Sequence, residues 1–398
     1  MVPGAATPRI YVYDVANFTD TPPSRELAFG KHLGGSLYDT PTQYGMGRLL
    51  HWRLLHSRYR VMRPSEANIF FLPVLTAPRN KLDIERTCTN HSSILSDEAA
   101  VRARLHALDS STACGHIFVI GKSFREPRSC RWWSEPRDPL LRNATRLAYT
   151  HPLPGYDGGP GSAPDDWVRK YVTEPRRLGK TYYPNLFSIP YPSSIHWSPS
   201  AERSGAVPPW SLNHRRGARP WLMLFLGQFG HGDEAVRREL RKLCVRQHPT
   251  SCHFEHYQWT HGSFALNHMR NATFCLQPGG DTPARKSLVD AITLGCIPVL
   301  FSPMQDEFMP WWSWHSWRDR GRVLVNRSDF LRGKINLPEY LSEIAADPVR
   351  IGEMQSTLER HARSMQVSTE DDPDDALSVI LSRVLRRCHP SHGAPSSH

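Results

Sequence analysis

The stretch FCLQPGGDTPARKSLVDAITLGCIPVLF, Phe274–Phe301, concentrates residue types that bind anions. A short apolar run ends at Gly279 and Gly280, which permit a tight turn and a close approach of backbone to a ligand. Thr282 is a capping residue and Pro283 suits a first helical position, so the spacing predicts a helix from Pro283 to Leu294 closed by Gly295. Arg285 and Lys286 then fall in or beside the first turn, where the macrodipole disfavours each cation by about 0.3–1 kcal/mol. A diphosphate that accepts hydrogen bonds from the helix amides and from Arg285 removes that penalty. Lys286 and Asp290 lie four residues apart and share a face. Asp290 therefore either meets ribose hydroxyls, as acids do in other nucleotide folds, or forms a surface ion pair with Lys286.

A second glycine-rich turn, LGQFGHGDEAVRREL, places Gly227, Gly230 and Gly232 before a helix that carries Arg237. It lacks the GK[ST] of a Walker loop and the spacing of GxGxxG, so alone it says little. Four tryptophans, Trp311, Trp312, Trp314 and Trp317, either stack on sugar rings or pack in a core, and packing is the simpler reading. The acidic run EDDPDD opens a helix, where acids are normal, and no metal-binding pair is evident. No tightly bound metal is expected.

The elements that position these residues alternate in type. IYVYD opens as a strand, YGMGRLLHWRLLHSRY has the apolar spacing of a helix, and EANIFFLPV, AAVRARLHAL and HIFVIG continue as strand, helix and strand. That alternation indicates α/β layers with parallel sheets. Residues 155–166 are a loop by composition, and residues 202–220 read as a linker. WLMLFLGQFGHGDEAVRRELRKLC then begins a second strand, turn and helix unit. The expected division is 1–210, 211–335 and a tail of helices over 336–398, whose last ten residues look frayed.

The 398 residues carry a net charge of +11, with the basic residues scattered rather than clustered, which disfavours a nucleic-acid binder. No apolar run spans a bilayer and the start lacks the core of a signal peptide. Five sequons, at Asn17, Asn90, Asn143, Asn271 and Asn326, hint at a secretory compartment. A cytosolic nucleotide-binding enzyme, the contrasting reading, predicts all five unmodified. The eight cysteines form no zinc pattern. Cys244 with Cys252, and Cys88 or Cys114 with Cys130, could close bridges, whereas Cys275 and Cys296 read as buried free thiols.

The stretches RIYVYDV, YRVMRPSEANIFFLPV, LFLGQFGHGDEAVRREL and above all FCLQPGGDTPARKSLVDAITLGCIPVLF resemble the exostosin-like glycosyltransferases in kind and order, from about Arg9 to Pro310. The resemblance implies a GT-B fold, two Rossmann-like α/β domains facing across a cleft, with the nucleotide-sugar on the C-terminal domain and the acceptor glycan on the N-terminal one. It implies a UDP-sugar as co-substrate, inversion at the anomeric carbon, and a Golgi type II membrane protein whose anchor precedes Met1. It also leaves room for a homo- or hetero-oligomer with related transferases. Carried over onto this chain, the phosphate contacts fall on Arg285, Gly279, Gly280 and Arg237, with Gly227 and Lys286 in the same site, Thr282 and Ser287 as secondary donors and Asp290 on the ribose. Inversion calls for a base, and Asp14, His116, Asp306 and Glu307 are the candidates. Two family features are missing: Gly115 precedes His116 where an Asp is common, and NLFSIPYP lacks an acid before IPY. These departures leave acceptor identity open and allow a second reading, a catalytically weak partner subunit or glycan-binding protein in a heteromeric synthase.

Overall fold

The computed structural model describes residues 7–14, 24–39, 43–73, 88–90, 94–121, 130–153, 155–177, 185–211, 219–227, 232–247, 251–256, 262–310, 317–318 and 320–389. Among them, strands β1 (Ile10–Val12), β2 (Ile69–Leu72), β3 (His116–Val119), β4 (Thr145–Ala148) and β5 (Leu186–Ser188) form one parallel sheet in the order β1-β2-β3-β4-β5. Strands β6 (Trp221–Gly227), β7 (Cys252–His256), β8 (Ala272–Gln277), β9 (Ile297–Leu300) and β10 (Val323–Leu324) form a second parallel sheet in the order β10-β9-β8-β6-β7. β2, β3, β4 and β9 are buried at every position, as parallel strands covered on both faces must be. A small antiparallel hairpin, Lys31–Gly34 with Leu37–Asp39, lies outside both sheets.

The two sheets lie on either side of residue 210, and the structure is two α/β domains of the kind expected. Helix α1 (Met46–Leu55) turns Met46, Leu49, Leu50 and Leu54 inward, within the longer helical pattern of its sequence. In the second domain α2 (Glu234–Arg246) follows β6, α3 (Gly262–Arg270) follows β7 and α4 (Lys286–Thr293) joins β8 to β9. The tail divides between the domains. Helix α5 (Leu337–Ala345) packs on β6 and α6 (Pro348–Ala362) on α4, while α7 (Ala376–Cys388) returns to the N-terminal domain. The last nine residues, within the segment read as frayed, lie outside the described residues.

In the second sheet the chain leaves β6 to form the edge strand β7, then crosses to β8 on the other side of β6. The carboxyl ends of β6 and β8 therefore flank a topological switch point, the crevice in which open α/β sheets bind ligands. Both glycine loops singled out in the sequence lie there.

All eight cysteines are paired: Cys88–Cys130, Cys114–Cys388, Cys244–Cys252 and Cys275–Cys296. The expectation of free thiols at Cys275 and Cys296 is overturned. Each lies on or beside one of two adjacent strands, β8 and β9, whose pairing holds Phe274 opposite Ile297 and brings the two sulfurs together. Burial in an apolar run, the signal used to read them as thiols, suits a core disulfide equally. Cys114 bonds not Cys130 but Cys388, across 274 residues.

Peptide mapping of unreduced protein should recover these four pairs and thiol titration should find none free. Cys388→Ser should lower the unfolding free energy by about 2–5 kcal/mol in urea titrations. Recovery of a Cys275 or Cys296 thiol would contradict the pairing.

Candidate functional site

The helix of the opening stretch begins three residues later than its sequence predicts. Thr282 does not cap it: its Oγ1 donates to the Ala284 carbonyl (2.7 Å), and Gly280 N–H donates to the Thr282 carbonyl (3.1 Å). These bonds close residues 280–284 into a compact turn. Arg285 takes the cap position in extended conformation, and α4 starts at Lys286 with no side-chain cap on its first amides. Leu288, Ala291 and Ile292 are buried as the pattern requires, and Gly295 follows with φ 65°, a left-handed position suited to glycine.

Two arginines converge on the loop at the end of β8. Arg285 Nη1 donates to the Pro278 carbonyl (2.9 Å) and Arg237 Nε, from α2, to the Gly279 carbonyl (3.0 Å). Arg237 is 3% exposed, and burial holds its guanidinium below the ordinary arginine range against the opposing pull of Asp233 and Asp281. A Cβ on Gly227 would come within 3.2 Å of Arg237 Nη1, and one on Gly232, where φ is +78°, would lie 2.5 Å from the Gly280 backbone. Gly232 is thus a glycine of close approach, whereas a Cβ on Gly280 would meet nothing nearer than 3.7 Å. The intervening residues 228–231, Gly230 included, lie outside the described residues.

The N-terminal domain closes over this loop. The Trp167 Nε1 donates to the Gly280 carbonyl (3.2 Å), and a Cβ on Gly279 would run into the Trp167 indole. Tyr191 OH lies 3.3 Å from Thr282 Oγ1 and stacks on Tyr149 at 3.8 Å. Tyr191 belongs to the IPY segment noted in the sequence, whereas Trp167 and Tyr149 belong to no motif; their place at the loop becomes visible only once the second domain is in place.

Lys286, Ser287 and Asp290 are engaged within the protein. Lys286 Nζ donates to Asp290 Oδ2 (2.5 Å) and to Ser194 Oγ (2.6 Å). Asp290, 5% exposed, also accepts from Ser193 Oγ (3.0 Å) and Ser194 N–H (2.8 Å). The pairing open in the sequence is therefore made, yet buried between domains rather than at the surface. The carboxylate takes three donors, which leaves it little capacity for a ribose. Ser287 Oγ donates to Gln277 Oε1 (2.7 Å) instead of facing the loop.

The four candidate bases differ in setting. His116 is the first residue of β3, at the amino end of its sheet and so opposite the crevice. It is fully buried: Nδ1–H donates to the Thr112 carbonyl (2.9 Å), Tyr13 OH donates to Nε2 (2.8 Å), and the ring stacks on Phe70. Burial lowers it to about 4. This is a satisfied structural histidine with no free nitrogen, and the role of base assigned to it does not fit. Asp306 is buried, bound by Arg322 (2.6 Å) and by the indole of Trp317 (3.1 Å), a packing role for that tryptophan. Trp311, Trp312 and Trp314 lie outside the described residues. Glu307 pairs with Arg318 at 2.6 Å, and burial raises its carboxyl against that pairing. Asp14 is exposed at the carboxyl end of β1.

One group of metal-ligand types occurs among the described residues: His253, Glu255 and His268, with ligand atoms within 4.8 Å of one another. Its rings stack, Trp221 on His253 at 4.0 Å and His253 on His268 at 4.9 Å, so their in-plane lone pairs run side by side instead of converging. No metal is assigned there.

The profile of the exostosin GT47 domain matches residues 5–311. Curated relatives include the Arabidopsis thaliana xyloglucan-specific galacturonosyltransferase 1, 26% identical over 75% of this chain and 42% of its own length. The probable xyloglucan galactosyltransferase GT17 from the same plant is 37% identical over 51% of this chain and 44% of its own length, and xyloglucan galactosyltransferase MUR3 is 28% identical over 51% and 34%. The chain thus spans less than half the length of these relatives. Among solved structures, the calicheamicin glycosyltransferase CalG4 overlaps 97% of this chain and all of its own at 13% identity and a TM-score of 0.37. The pneumococcal O-GlcNAc transferase GtfA, solved with UDP and GlcNAc, overlaps 74% and 60% at 8% identity and a TM-score of 0.34. At such scores the likeness is one of outline only.

Gly279→Ala should displace Trp167 and destabilise by about 1–3 kcal/mol, the usual range for an overpacked site, read by urea titration. An unchanged midpoint would mean that the indole does not cover the loop. Acid should also weaken the fold. Burial lowers His51 and His116 to about 4 and His196 to about 3, so the unfolded chain takes up protons near pH 6.5 that the native protein refuses until about pH 4. Stability should be level with respect to these groups above pH 6.5 and fall as pH drops from 6.5 to 4. A flat profile of the urea midpoint over that window would contradict it.

Proposed function

Because the chain belongs to the exostosin GT47 family, we propose that it transfers a sugar from a UDP-sugar to a glycan or glycoprotein acceptor, with inversion. The observation that carries the donor half is the pair of guanidinium groups on the Pro278–Gly280 loop, beside an uncapped helix start and at the switch point of the C-terminal sheet. Backbone amides without a capping side chain and two fixed cations favour a group with closely spaced negative charges, and a diphosphate supplies them. As the sugar departs, charge accumulates on the β-phosphate, and the same cations stabilise it most at that point. Gly227, Gly232 and Gly279 make room for Arg237, the Gly280 backbone and Trp167, and Gly280 leaves its side of the loop for a phosphate. Lys286 and Asp290 serve the site indirectly by tying α4 to the Ser193–Ser194 segment of the other domain.

The acceptor half is assigned to the cleft between the domains, on the side of the carboxyl ends of β1 to β5. The plant relatives are named for xyloglucan, and a polysaccharide of that kind is the acceptor class proposed by analogy. A lumenal setting, the Golgi, suits four disulfides, which persist in oxidising compartments, and exposed sequon asparagines at 90, 143, 271 and 326. Asn17 lies outside the described residues, among which no helix is long and apolar enough to cross a membrane.

Purified protein incubated with a donor panel and oligosaccharides should release UDP and give a product one sugar heavier by mass spectrometry. No release with any pairing would sink the proposal. Arg285→Ala and Arg237→Ala should each weaken UDP binding by about 10- to 100-fold in calorimetry, the equivalent of one charge-assisted hydrogen bond. Wild-type affinity in both variants would place the diphosphate elsewhere.

A further inference from the structure

The transfer still needs a destination for the proton of the acceptor hydroxyl: His116 faces the wrong end of its sheet, Asp306 and Glu307 are bound by arginines, and Asp14 follows the edge strand β1, away from the strands β4 and β5 beside which the other domain packs. We propose that His151 is the general base, an assignment that rests on the glycosyltransferase reading above. His151 lies three residues beyond β4, at the carboxyl end of the N-terminal sheet. Its Nδ1 is 2.7 Å from the hydroxyl of Ser188, the last residue of the neighbouring β5. Its ring meets the edge of Phe308 from the other domain at 5.4 Å between centroids, and Tyr171 packs on that same phenyl at 4.9 Å. Phe308 ends the turn that follows β9, so the imidazole stands where the two domains meet, on the side of both sheets that carries the carboxyl ends of the strands.

Three features suit it to the task. With the Ser188 hydroxyl accepting from Nδ1–H, the ring is oriented and the lone pair is left on Nε2. No group among the described residues hydrogen-bonds Nε2, and the side chain keeps partial exposure, so a hydroxyl can reach that nitrogen. Burial within the cleft pushes the imidazole down to about 4, so Nε2 is unprotonated throughout the physiological range, at some cost in basicity. The titratable and charged groups on the surrounding elements are Tyr149, Tyr171 with Arg169 and Lys170 on its helix, Arg146 of β4, and the carboxylates Asp306 and Glu307, which Arg322 and Arg318 hold; burial is the cause of the shift.

The step balances. The acceptor oxygen forms a bond to the anomeric carbon while the bond from that carbon to the diphosphate oxygen breaks. Its electron pair leaves with the nucleotide toward Arg285 and Arg237, and the hydroxyl proton passes to His151 Nε2.

The test is steady-state UDP release with the donor and acceptor identified by the screen, alongside UDP binding by calorimetry. His151→Gln should lose about 10²- to 10⁴-fold in kcat while keeping wild-type UDP affinity. Added imidazole should restore activity to His151→Ala. In the wild type, the acid limb of kcat/KM should lie near pH 4 and move to lower pH on warming, as an imidazole does and a carboxylate does not. That measurement stands even if a variant fails to fold. A His151→Gln enzyme with wild-type kcat, or an acid limb fixed against temperature, overturns the assignment while leaving the transferase reading intact. A wild type that turns over no donor and acceptor pair sinks both.

Discussion

Two guanidinium groups meeting on consecutive carbonyls of one loop are the constraint on which the rest of the cleft depends. Arg237 comes from the helix after β6 and so staples that unit to the loop after β8 across the switch point, while Arg285, from the start of the helix after β8, holds the same loop from its own side. A carbonyl that accepts from a charged donor is held firmly, and the loop it belongs to cannot swing away. Close packing also explains two of the glycines here: any side chain on Gly232 or Gly279 competes for the space taken by the neighbouring backbone or by Trp167.

The positive charge at this helix start has a different origin from the one its sequence suggests. Lys286 is answered within the chain by Asp290, and the two reach Ser193 and Ser194 across the interface. The helix is thus anchored by its cation-carboxylate pair before any ligand arrives. What remains unanswered is the uncapped amide end and the loop beside it. Helices elsewhere in the chain, α2, α6 and α7 among them, begin with an aspartate that accepts from their first amides, and α4 lacks one.

Most of the fold was legible because its strands and helices carry strong local patterns. The apolar runs of β2, β3, β8 and β9 and the periodicity of α1, α2 and α4 are properties of consecutive residues. The short strands β4, β5, β7 and β10 are not legible there, since two to five residues without alternation carry little periodicity. The start of α4 was misplaced because Thr282 and Pro283 match the chemistry of a helix start, yet the Thr282 hydroxyl found a carbonyl instead of an amide. Within the site, the glycines and the two arginines were readable from motif spacing. Trp167, Tyr191, Ser193 and Ser194 were not, because they enter from the other domain across about a hundred residues. The histidines make the same point: His116 and His151 are both held neutral by burial, but one stands at the amino end of its strand and the other past the carboxyl end. Only the direction of the strands separates them.

The bond between Cys114 and Cys388 turns the polypeptide from residue 114 to residue 388 into a covalent ring that contains the whole C-terminal sheet and strands β3 to β5 of the other. A single peptide cleavage anywhere within that ring, the linker near residue 210 included, opens it without releasing a fragment. Relative motion of the two lobes is also limited by a second tether besides the linker, so opening of the cleft must pivot about both crossings together and becomes a twist or a hinge with one axis.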